Sequence, residues 1–104
     1  MNIRLLDDSS LLEENAANEI VARASMINCE CPKHLVAILH EIRKLQAYEK
    51  KCAADSEKDR AIHEWLYTSA KNLDQMLSGT IVQLARMEGM IDDENQIVDH
   101  PSKK

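Results

Sequence analysis

The sequence predicts an all-α fold, an antiparallel three-helix arrangement whose long third helix pairs with a second copy into a larger bundle. Three observations carry this expectation. From Ser56 to Met90, Ile62, Leu66, Ser69, Leu73, Met76, Thr80, Gln83 and Met87 step by fours and threes, the period of one helix face. Only two Gly and two Pro interrupt 104 residues, so there are few turns and few elements. Aromatics are 3% with no Phe, leaving a core of Leu, Ile, Val, Ala and Met that suits helices better than strands.

Taken in order, residues 1–9 read as a flexible arm, although its Leu5 and Leu6 could dock on the bundle, 10–91 as a single helical domain and 92–104 as a disordered tail. The first helix is expected over about 10–28. Ser10 and Glu13 fit a capping box, in which each side chain satisfies an orphan N–H of the first turn. Leu12, Ala16, Ala17, Ile20, Val21, Ala24 and Ile27 then share one side. Pro32 suits a first helical position, where its missing N–H would be unpaired anyway, and opens a second helix over about 32–54. Its apolar stripe is Leu35, Ile38, Leu39, Ile42, Leu45, Tyr48 and Cys52.

A second capping box, Ser56 to Asp59, starts the third helix at about 57–90. The short connection makes helices two and three antiparallel. Gly79 lies inside the third helix, at a tight partner contact or simply as a soft spot. The distal part of this helix lacks cover in a lone protomer unless the first helix or the arm reaches it. Leu77, Ile81, Leu84, Met87 and Ile91 are therefore the expected homodimer interface.

The net charge is −5, with acids and bases interspersed, and no dense Lys/Arg block neutralises phosphates. Direct nucleic-acid binding is not expected. The longest apolar run, Leu35 to Leu39, is far short of the ~20 residues that span a bilayer. No signal-peptide core stands at the N-terminus, and three Cys make no disulfide framework, so the expected setting is the reducing cytoplasm.

Among chemistry-bearing residues, Cys29, Cys31 and His34 stand together at a helix junction. Thiolates and imidazole are ligands for zinc or iron, and a helix N-terminus favours thiolate. Three ligands fall one short of a closed tetrahedral site, and Cys52 lies about 31 Å of helical rise away from Cys31. Cys52 and His63 would meet near the 55–58 turn, but no orienting group or oxyanion donor accompanies them, and packing is the better account. No Glu-x-x-His, His-Glu-x-x-His, Gly-x-Ser-x-Gly or phosphate loop is present. An enzyme is not expected, and no cofactor beyond that zinc or iron.

Cys29-Glu-Cys-Pro-Lys-His-Leu35, followed by Tyr48-x-x-x-Cys52 and Ala61-x-His63-x-x-Leu66, resembles a helical module at the C-terminal end of some bacterial regulators of the MerR class. There, a Cys-Glu-Cys-Pro-x-His-Leu block precedes Tyr-x-x-x-Cys and His-x-x-Leu blocks. The resemblance spans roughly Leu12 to Ala85. It implies a bacterial cytoplasmic protein with a regulatory rather than catalytic role. In such regulators the module sits apart from the DNA-reading domain, and this sequence carries no winged helix-turn-helix. The expected role is a non-enzymatic regulatory or protein-interaction module, homodimeric or paired with another regulatory protein. The alternative is a metal-binding or thiol-redox sensor at Cys29, Cys31 and His34, which does not follow from the resemblance.

Overall fold

The computed structural model describes residues 3–55, 57–99 and 101, and among them it contains three helices, α1 (Glu14–Met26), α2 (Cys31–Asp55) and α3 (Arg60–Met87). The chain is elongated, 53 × 24 × 17 Å. The two long helices α2 and α3 pack antiparallel along their length, as expected from their short connection. The Arg60 guanidinium ties the turn by donating to the Ala53 carbonyl at 3.0 Å. Ser56, and with it half of the second expected capping box, lies outside the described residues.

α1 folds back along the first half of α2. At its start, the Glu14 carboxylate accepts from Arg43 at 2.5 Å and pairs with His40 at 3.0 Å. At its end, Asn28 takes a positive φ of 56°, the Asn28 N–H reaches the Ser25 carbonyl and the Cys29 N–H reaches Ala24. This is a Schellman stop, in which a left-handed residue satisfies the last orphan carbonyls. Leu12, Ala16, Ala17, Ile20 and Ala24 are buried on the stripe expected for them. Small Ala side chains allow this close approach.

α1 begins four residues later than expected, because Leu11 and Leu12 are not in a helix. Residues 5–13 form a tight turn instead. Glu13 N–H donates to the Leu5 carbonyl and Asp7 N–H to Leu11, both at 2.8 Å, while Ser10 sits at φ 63°. Burying Leu5, Leu11 and Leu12 together outweighs the capping box, so the expected Ser10–Glu13 cap is not made and the supposed flexible arm is docked.

The other end differs from expectation in the same way. α3 closes on a second Schellman stop, with Gly89 at φ 76°, its N–H on the Arg86 carbonyl and the Met90 N–H on Ala85. The chain then returns as a small hairpin that bridges Ile91 to Ile97. Asp92 Oδ1 accepts from the Glu94 and Gln96 N–H groups, and Arg23 donates to the Val98 carbonyl at 2.9 Å. Met90, Ile91 and Ile97 are buried in the main core, so residues 92–99 are not a disordered tail.

The arm, α1 and this hairpin therefore gather around one end of the molecule, beside the first half of α2 and the second half of α3. The rest of α2 and α3 projects beyond them as a two-helix stalk.

A candidate interaction surface on helices two and three

α3 presents two faces with opposite fates. Ala70, Asp74, Ser78, Ile81 and Ala85 are buried. The regular apolar seam that dominates the sequence is the other face, and it points away from the core. Ile62 (58% exposed), Leu73 (49%), Met76 (71%) and Met87 (66%) lie on it, with Trp65 (66%) beside them. On α2, the exposed residues Ile38, Leu45 and Tyr48 continue the patch. Such apolar area is well beyond scattered single exposures. A shallow, open groove beside Gly79, bordered by Met76, Thr80, Gln83, Leu84 and Met87 of the same helix, runs along its distal half. Nothing lies within 4 Å of where a Gly79 Cβ would stand.

The reason is a polar interior. Asp74 is fully buried between α2 and α3. Arg43 donates to it through Nε at 2.9 Å, Gln46 at 2.9 Å and Ser78 at 2.9 Å. Ser78 Oγ also accepts the Leu12 N–H at 2.9 Å, and Arg43 reaches the Leu12 carbonyl at 2.7 Å. Burial by itself would raise the Asp74 carboxyl, but the donors Arg43, Gln46 and Ser78 outweigh that and hold it below the ordinary carboxylate range. Glu14 is held low by Arg43 and His40 against the opposing effect of burial. Two turns up the stalk, His63 meets buried Glu49 at 2.6 Å. These partners fix which face of α3 turns inward, and the apolar seam is left outside.

The expected interface residues are divided by this arrangement. Ile81 and Ile91 are buried within the protomer, packed with α1, the N-terminal turn and the C-terminal hairpin, and are not available to a partner. Leu77 and Leu84 are half-buried at the edge of the open face. Met87 lies on it. The uncovered part extends toward the opposite end of α3 from the one expected, since the chain ends cover the distal core face.

Cys29, Cys31 and His34 do not converge as a ligand set. Cys29 follows the Schellman stop and packs against the core, Cys31 is exposed as the first residue of α2, and His34 is exposed a turn further on. Among the described residues, no group of three or more His, Cys, Asp or Glu is placed to hold a metal ion. The Cys31 thiol is pushed up by its hydrogen bond with Cys29, the reverse of the activation expected from the helix N-terminus. His63 takes Glu49 as its partner rather than Cys52, whose thiol interacts with the Tyr48 hydroxyl.

Fold and surface together define an all-α helical-hairpin protein that, among the described residues, exposes an apolar face of α2 and α3. Comparison with protein-family models, with curated proteins and with solved structures finds no match to this chain. Among the described residues, no helix is long and apolar enough to cross a membrane.

Proposed function

We propose that this chain is a non-enzymatic protein-interaction module that works as a homodimer in a bacterial cytoplasmic regulatory system. The observation that carries the proposal is the continuous exposed apolar face of α2 and α3, formed by Ile38, Leu45, Tyr48, Ile62, Trp65, Leu73, Met76 and Met87. Water contact with such a patch is costly, and covering it is the driving force of association. The resemblance of the Cys29–Leu35 block to modules of MerR-class regulators supports the regulatory setting.

The test is light scattering on the purified chain and on a Leu73→Lys, Met76→Lys variant. The wild type is expected at twice the monomer mass at micromolar concentration. The variant is expected to run as a monomer with unchanged helical circular dichroism, because both side chains already face solvent within the protomer. A monomeric wild type, or a variant that remains dimeric, overturns the proposal.

A further inference from the structure

Resting on that homodimeric reading, we propose that two copies associate antiparallel about a two-fold axis crossing α3 between Leu73 and Met76, so that the Ile62–Trp65 end of one α3 fills the Gly79–Met87 groove of the other. The seam is self-complementary in this register. Leu73 faces the partner's Met76, Ser69 faces the partner's Thr80, Leu66 faces the partner's Gln83, and Ile62 faces the partner's Met87. Apolar residues meet apolar residues at the centre and the ends; between them two hydroxyls meet, and Leu66 lies against the partner's Gln83 amide.

Size and shape choose the antiparallel direction. The bulky exposed pair, Ile62 and Trp65, stands at one end of α3, and the groove beside Gly79 lies about 30 Å along the helix at the other. An antiparallel copy brings bulk into groove twice. A parallel copy would set Ile62 and Trp65 against themselves and leave two grooves facing each other, forfeiting the packing contacts that a void lacks. Gly79, with open space where its side chain would be, admits the partner helix closely.

An independent check comes from α2. The bonds that join α2 to α3 (Arg43 to Asp74, Gln46 to the Ala70 carbonyl, Glu49 to His63) set residues 41–42 of α2 level with the proposed axis. That position is the midpoint between Ile38 and Leu45, the two exposed aliphatic residues of α2. One axis therefore places Ile38 opposite the partner's Leu45 as well, with Ile42 near its own copy.

The area is sufficient. The eight exposed side chains of the face, at roughly 60 Å² of apolar surface each, present on the order of 500 Å². In a homodimer interface about two-thirds apolar this corresponds to ~800 Å² per partner, the standard size of a stable interface.

Disulfide trapping tests the register. In the proposed dimer the two Thr80 positions are separated by about 16 Å along the helix, beyond the ~7 Å Cα separation that a disulfide tolerates. Thr80→Cys alone is expected to cross-link no more than wild type under mild oxidation. Ser69→Cys with Thr80→Cys is expected to shift most chains to twice the monomer mass on non-reducing electrophoresis, with the 69–80 bond confirmed by peptide mass mapping. Helical circular dichroism and light scattering accompany each variant, since both replacements are small and lie outside the core. Cross-linking by Thr80→Cys alone overturns the antiparallel register and leaves the homodimer standing. A wild-type dimer in which neither variant cross-links removes α3 from the interface. A wild-type monomer overturns the homodimer itself, and a partner helix from another protein would then be the occupant of the face.

Discussion

Arg43 on α2 and Asp74 on α3 form the ion pair around which the helices are oriented, with Nε 2.9 Å from Oδ2 and a second contact at 3.1 Å. The same guanidinium reaches the Leu12 carbonyl and Glu14, so one side chain joins the N-terminal turn, α1, α2 and α3. Removing the buried carboxylate leaves the buried donors Gln46 and Ser78 without their acceptor and Arg43 without its buried counter-charge. Asp74→Ala is expected to destabilise the fold by about 3–5 kcal/mol, measured by urea unfolding. A loss below ~1 kcal/mol would mean that the network does not hold the interface between the long helices.

The pH dependence follows from the same carboxylates. Asp74 and Glu14 titrate below their ordinary values when folded. In the unfolded chain they return to about 4. Protonation then favours the unfolded state, so this stabilisation is complete above the ordinary carboxylate range. It is lost as the pH falls through ~4 toward the folded-state values. The urea midpoint should drop between pH 5 and pH 3, and the gap between wild type and Asp74→Ala should narrow. A gap of constant size across that range contradicts the assignment.

The C-terminal hairpin is part of the fold. Ile97→Ala is expected to cost about 2–4 kcal/mol, as expected for a buried large-to-small change. Gly89→Ala forces a side chain into the left-handed region at φ 76° and is expected to cost ~1 kcal/mol or more. Thermal unfolding separates these outcomes from those of a loose tail, in which both substitutions would be silent.

Trp65 separates folding from association. Two-thirds of its surface is exposed in the protomer. Trp65→Ala should therefore leave the protomer intact while costing the dimer ~2 kcal/mol or more in total for its two copies, roughly a 30-fold weakening, as aromatic anchors do at interfaces. Sedimentation equilibrium across a dilution series reads this directly, and an unchanged dissociation constant would exclude the stalk from the contact.

The thiol pair is expected to be dispensable. Cys31→Ser replaces an exposed side chain and should change stability by no more than about 0.5 kcal/mol. Cys29→Ser places a hydroxyl against the core and should cost somewhat more. Zinc titration followed by calorimetry on wild type should give no heat that the double variant lacks. A stoichiometric wild-type signal would favour the metal-sensor alternative.

Three helices and the antiparallel hairpin were legible from periodicity, the scarcity of Gly and Pro, and the short 55–58 connection. The inward stripe of α1, from Ala16 to Ala24, was equally plain. The burial direction of α3 was not, because Asp74 and Ser78 look like ordinary solvated positions until Arg43 and Gln46 arrive from α2. Leu5 and Leu6 were legible as a pair able to dock, but the turn over 5–13 and the returning C-terminal hairpin were missed for a related reason. Ser10 with Glu13 imitates a cap, and Asp92-Asp93-Glu94-Asn95 reads as polar tail, although Asp92 in fact closes a turn that returns Ile97 to the core.

The spacing of residues along this chain determined by itself that it would be helical, how many helices would form, and that α3 would carry a long apolar seam. Those properties are local: they depend on 3.6 residues per turn and on side chains a few positions apart. Only the tertiary structure decided which face of α3 would be buried. A buried carboxylate with three donors arranged around it is satisfied in one orientation alone, whereas apolar contacts are non-directional and can be made later by a partner. The polar network therefore took the inside of the protomer, and the seam was left at the surface.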